Sequence, residues 1–128
     1  MSLEVELYTR ATTHAGLSAL IGKRFYPRRI PVNPTYPLVV YRIVGSPTPD
    51  TPTHDGAAER SVTAVQMDCF ADDSDAARTL GDQVRSAFNC WNKNPVIGYS
   101  NMKSRMNGDD LELNKHRDIL EFDIEHSW

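Results

Sequence analysis

The stretch from Ile119 to Glu125 constrains this chain most. Leu120, Phe122 and Ile124 alternate there with Glu121, Asp123 and Glu125. Successive side chains of a β-strand point to opposite faces, so this pattern sets an apolar row against an acidic one. A strand of this kind belongs to a sheet with one face on a core and the other towards water. Something else in the chain must cover the apolar face.

The segment after Asp72 and Asp73 supplies that cover. Ala77, Leu80, Val84, Phe88 and Trp91 recur at steps of three or four, which places them on one side of a helix. Asp72 or Asp73 is in position to cap it, and Pro95 is expected to end it. Asp75, Arg78, Asp82 and Arg85 occupy the opposite side at ion-pair spacing, where each pair contributes about 0.2 to 0.5 kcal/mol, and read as a solvated face.

Near the amino terminus, Leu3, Leu7 and Ala11 predict a first helix over residues 3–12, capped by Ser2 with Glu4 and Glu6 near its positive end. A short second helix over 15–20 follows Thr13 as its cap. Gly22 stands where a left-handed helix terminus favours glycine. From Lys23 to Pro37 the sequence KRFYPRRIPVNPTYP carries four prolines, which remove backbone donors and disfavour helix, so it reads as an extended connector pinned by Phe25, Tyr26 and Ile30.

Leu38 to Val44, LVVYRIV, is almost purely β-branched and aromatic and predicts a strand covered on both faces. Residues 45–59 offer neither apolar period nor ladder donors and are expected to form a long mobile loop. Arg60 to Ala71 then predicts a strand antiparallel to the first, with Val65, Met67 and Cys69 on one face. Tyr99 to Met106 is the third strand, Asn107-Gly108 its turn signal, and Ile119 to Glu125 the fourth, with Lys103 and Arg105 opposite the acidic row. The fold class is therefore α+β: about four mostly antiparallel strands with helices packed on one face.

Composition narrows what such a domain does. With 128 residues and 40% hydrophobic content, the chain suits a single domain over 1–128. Its net charge of −3 gives no general attraction to a phosphate backbone. No apolar run approaches the roughly 20 residues that span a bilayer, and the start MSLEVELYTR is acidic, so no membrane association and synthesis in a cytoplasm are expected. Cys69 and Cys90 are too few and too far apart for a disulfide framework or a zinc site, and read as reduced, buried thiols.

Chemistry finds little support. Neither G-x-S-x-G nor H-E-x-x-H occurs, and His14, His54, His116 and His126 lack ligand-like spacing. Asp72, Asp73 and Asp75 lack the continuing donors of a calcium loop and are better explained by capping. Lys23, Arg24, Arg28 and Arg29, interleaved with Phe25 and Tyr26, form the one local basic cluster. Without a recognition helix beside it, the cluster reads as subunit contact or solvated surface. No catalytic residue, cofactor or metal is expected.

The order of the pieces is informative: GKRFYP after a short amino-terminal helix, then YPLVVYRIVG, then VTAVQMDCFADD leading into a helix, and a closing HRDILEFDIEHSW. Together, from about Leu3 to Ile124, these resemble the phage tail completion and tail terminator proteins. The matching positions are Gly22, Arg24, Tyr26, Pro27, Pro37, Val39, Tyr41, Asp68, Leu120 and Phe122, and they imply fold and not a site.

The resemblance implies a non-enzymatic virion protein of a tailed bacteriophage, a small α/β sandwich that caps the tail tube as a ring, commonly a hexamer, and joins the tail to the head. Its partners would be further copies of itself, the tail tube protein and the head connector or neck protein. DNA would pass through without specific binding, and assembly would take place in the bacterial host cytoplasm. A ring interface is heterologous, so long loops and sheet edges are natural donors to it. On that ground Arg28 and Arg29, with Thr48, Asp50, Thr53, His54 and Asp55 of the loop, are the candidate interface residues. Alternative readings are another neck or minor capsid component, and a small nucleic-acid-binding module that uses the Lys23 to Arg29 cluster.

Overall fold

Leu120, Phe122 and Ile124 are fully buried, and the alternation that predicts them is the backbone of the architecture. The computed structural model describes residues 3–45, 60–93, 96–110 and 114–127. Along the chain these form α1 (Leu3–Thr13), α2 (Ala15–Ile21), β1 (Phe25–Pro27), β2 (Leu38–Ile43), β3 (Arg60–Ala71), α3 (Ser74–Phe88), β4 (Ile97–Asp110) and β5 (Lys115–Ser127). The strands make one five-stranded sheet in the order β1-β2-β3-β5-β4. Only the β1–β2 pair is parallel. The class is α+β, with the helices on one face.

The core lies between that face and the helices. Val39 and Tyr41 of β2, Val65, Met67 and Cys69 of β3, and the apolar row of β5 meet Leu80, Val84, Ala87 and Phe88 of α3. Burying each large side chain contributes about 1.5 to 3 kcal/mol, enough in sum to hold helices this short in place. Aromatic rings run through the centre, with Phe25 stacked on Tyr41 at 4.7 Å and Phe88 edge-on to Trp91 at 5.5 Å.

Several local expectations are corrected. The connector contributes a fifth strand, because Phe25 finds the core and draws residues 25–27 alongside Val39 to Tyr41. Pro27 is tolerated there because β1 is an edge strand. Thr13 is part of α1, its hydroxyl donating to the Thr9 carbonyl at 2.6 Å. The cap of α2 is instead His14, whose Nδ1 accepts from the Leu17 amide at 3.2 Å. Gly22 does occupy positive φ, at 59°.

The third helix closes at Phe88, earlier than Pro95, a residue outside those described. Asn89 ends it, its side-chain carbonyl accepting from the Met102 amide at 2.9 Å, and Cys90 takes a φ of 61°. Trp91 is buried from beyond the helix. Asp73 is the cap, accepting from the Ala76 amide at 2.7 Å, while Asp72 binds Lys115. Cys90 is exposed, so only Cys69 meets the expectation of a buried thiol.

Asn107-Gly108 is not a turn. Both residues lie within β4, opposite Asp118 and Arg117, because β4 and β5 continue pairing to Asp110 and Lys115. A register shift between Met102 and Ser104 also separates the two basic residues expected opposite the acidic row. Lys103 does approach Asp123, at 3.8 Å. Arg105 points to the helix side and pairs with Asp118 and Asp82. Asp82 is thereby directed into the sheet and not along its own helix.

Candidate interaction surface

Side chains at Leu38, Val40 and Arg42 of β2, Gln66, Asp68 and Phe70 of β3, and Arg117, Ile119, Glu121, Asp123 and Glu125 of β5 point away from the helices. The proline-rich connector covers one corner of this second face, laying Tyr26, Ile30 and Tyr36 on Leu38, Val40 and Phe70. At the edge of that cover lies a hollow of about 250 Å³. Arg28, Arg29, Arg42 and Arg117 line it, above Val40 and Phe70.

The backbone fixes the first two arginines there. Arg28 sits at a φ of 68°, and its amide donates to the Tyr41 carbonyl at 2.7 Å. The left-handed region costs a residue with a Cβ about 1 kcal/mol or more. The Arg29 amide donates to the Pro27 carbonyl at 2.7 Å, which closes a tight bend as the chain leaves β1. Both side chains are exposed.

Asp68 is the carboxylate of the hollow and is 1% exposed. It accepts from Gln66 Nε2 at 2.8 Å and lies 3.9 Å from Arg42 and 3.7 Å from Arg117. Arg117 also stands over the Phe70 ring at 5.7 Å, and its Nε is buried without an acceptor among the described residues. Four arginines and one carboxylate therefore line the hollow, and two of the four, Arg42 and Arg117, approach that carboxylate. Farther along β5 the same face turns acidic through Glu121, Asp123 and Glu125, so it carries charge of both signs, in separate halves.

Arg28 and Arg42 also border a second hollow of about 290 Å³, beside Glu4, Tyr41 and Ile43. The Tyr41 hydroxyl donates to Glu4 Oε1 at 3.4 Å. Burial first, then the neighbouring Glu4 charge, pushes the Tyr41 phenol up to about 12.

The structure thus brings together Arg28 and Arg29 from the sequence-predicted set and adds Arg42, Asp68 and Arg117. Arg42 and Arg117 carried no motif. Their one signal was an outward position on a strand, which becomes meaningful only when strand order places both beside Asp68 of the intervening β3. Thr48, Asp50, Thr53, His54 and Asp55, with the loop expected over 45–59, lie outside the described residues apart from Gly45.

The basic cluster itself is divided. Arg24 turns inward, its Nε donating to the Pro37 carbonyl at 2.8 Å and its Nη2 to the Leu20 carbonyl at 3.0 Å, so it braces the connector. Among the described residues no group of three or more His, Cys, Asp or Glu is arranged to hold a metal ion. No helix there is long and apolar enough to cross a membrane.

The family model of Tail completion protein gp17 matches residues 5–94. The chain belongs to that family. In this tail completion protein the matched span runs from α1 through α3 and holds Arg28, Arg29, Arg42 and Asp68, while Arg117 lies beyond it. The family is one of structural tail proteins of bacteriophage.

A solved structure described as the virion of a native gene transfer agent particle contains a chain of similar fold. The TM-score is 0.76 at 15% identity, over 99% of this chain and 96% of that one. At this identity the likeness is one of fold, and it includes β4 and β5, which the family match leaves out. No curated protein matches the chain.

Proposed function

We propose that this tail completion protein closes the end of the phage tail tube as a homo-oligomeric ring, a hexamer, and joins the tail to the head connector. Family membership over residues 5–94 carries the reading. In this proposal the protein is structural and without catalysis, resides in the virion after assembly in the host cytoplasm, and lets DNA pass without specific binding.

A closed ring needs two different, complementary patches on each subunit. The fold offers suitable ones. The face away from the helices combines an arginine-lined corner with an acidic row. The edge strand β4 runs for 14 residues and leaves Tyr99 and Met106 exposed, Met106 at 63%. In this reading Arg28, Arg29 and the segment Thr48 to Ala58 contact a neighbouring subunit or the tail tube. The similarity to a chain of a gene transfer agent virion agrees with a place in a particle.

Light scattering and negative-stain microscopy of the purified protein, alone and mixed with tail tubes, test the proposal. Rings, or caps on tube ends, are the expected outcome. A monomer indifferent to tubes would refute it. Deleting Thr48 to Ala58 should spare folding and abolish assembly, and assembly that survived would remove that segment from the interface.

A further inference from the structure

We propose that the hollow beneath Arg28 and Arg29 receives a carboxylate side chain from an acidic, partly apolar segment of a partner protein. The inference rests on reading this corner as an assembly contact, and it names the chemistry of what docks there.

The charge balance of the hollow is the first argument. Arg28, Arg29, Arg42 and Arg117 line the hollow with Asp68 as its one carboxylate, and Asp68 meets Arg42 and Arg117 at the long distances of 3.9 and 3.7 Å. Glu4 borders Arg28 and Arg42 in the adjoining hollow, where it accepts from the Tyr41 hydroxyl. Neither Arg28 nor Arg29 is in an ion pair among the described residues. A guanidinium presents several donors in a plane that matches a carboxylate, so an incoming Asp or Glu would satisfy groups that the chain leaves to water.

Shape and placement favour a protein side chain over a nucleic acid. A volume of about 250 Å³ with Ile30, Val40 and Phe70 in its wall suits one carboxylate and an adjoining apolar group. A phosphate backbone would need a continuous basic track. Here Asp68 lies in the hollow and Glu121 follows on the same face of β5, next to Gln66, so the track is interrupted at once. The net charge of −3 also opposes a polyanion at long range. Backbone geometry points the same way, since Arg28 holds an unfavourable φ of 68° at the rim and strain of this kind concentrates at functional positions.

The test is an NMR titration of the full chain with isotope-labelled arginine side chains. The probe is the capped tetrapeptide Leu-Glu-Leu-Asp, with its Gln and Asn counterpart and a short DNA duplex as comparators. The expected result is a saturating shift of the Arg28, Arg29, Arg42 and Arg117 side-chain signals with the acidic peptide and none with the neutral one. Arg29→Gln should weaken binding about fivefold, the effect of losing roughly 1 kcal/mol, with an unchanged melting temperature. Should that variant fold poorly, Arg42→Gln serves in its place.

Absence of a shift, or an equal response from the exposed Arg78 and Arg85 of α3, would overturn the proposal. A duplex that moved the same signals at lower concentration would also overturn it, in favour of nucleic acid. Rings without peptide binding would sink this inference alone. Peptide binding by a protein that forms no ring would sink only the ring.

Discussion

Arg105 of β4 donates its Nε–H to Asp118 Oδ2 of β5 at 2.8 Å, directly beneath Gly81 of α3. The same guanidinium reaches Asp82 at 2.8 Å and the Arg78 carbonyl at 3.1 Å, so one side chain ties two strands to one helix. A Cβ at position 81 would lie 2.1 Å from Asp118 Oδ2 and 2.7 Å from Arg105 Nη2. Alanine would gain about 1 kcal/mol of helix propensity, but displacing a buried ion pair costs about 3 to 5 kcal/mol. Gly81→Ala should therefore destabilise the protein by about 2 kcal/mol or more in urea unfolding. An unchanged or higher midpoint would show that the helix yields without cost.

The phenol of Tyr41 gives alkaline stability a specific sign. Its folded value of about 12 exceeds the ordinary 10, so the folded state favours the neutral ring. The associated stability is fully present below about pH 10 and is lost as pH rises towards 12. Tyr41→Phe, which deletes a long hydrogen bond to Glu4, should change stability by less than about 1 kcal/mol at pH 7 and flatten the loss above pH 10. A variant with the same alkaline slope as the parent would refute the assignment.

His14 sets the opposite dependence. Burial, then the nearby Arg10 charge, lowers its affinity for a proton, and its neutral Nδ1 is the acceptor that caps α2. A group depressed in the folded state contributes stability above its unfolded value of about 6.5, lost as pH falls through the folded value. His14→Asn keeps a capping acceptor and removes the titration. Melting temperatures at pH 7.5 and pH 5 should converge for this variant relative to the parent.

The two cysteines should be distinguishable by chemistry. Cys90 is exposed, whereas burial, with the Asp118 and Asp68 charges adding to it, raises the Cys69 thiol well above its usual range. Since the thiolate is the reactive form, a thiol-specific chromophore should label one site quickly in the folded protein and both after denaturation. Cys90→Ser should abolish the fast phase. Fast double labelling of the folded protein would contradict the burial of Cys69.

The main elements were legible in the chain where they depend on the local direction of side chains. Strict alternation in β5 dictates a sheet with one buried face, the stripe through Leu80, Val84 and Phe88 dictates the helix that covers it, and the Asp72-Asp73 pair marks where that helix starts, the structure selecting Asp73 as the cap. These follow from backbone stereochemistry within a few residues, as does the ordered run of motifs that carries the family.

Tertiary structure decided the matters that depend on register between distant segments. Phe25 draws a proline-rich connector into the sheet because its ring gains more from the core than the prolines lose in ladder bonds. One shifted residue between Met102 and Ser104 turns Arg105 from the acidic face towards Asp118. Strand order places β1 beside β2, and β3 between β2 and β5, so Arg28, Arg29, Arg42 and Arg117 come from three separate stretches of chain to line one hollow with Asp68. Spacing along the sequence carries no trace of that convergence, because pairing across a sheet is set by which apolar rows bury each other and not by any local period.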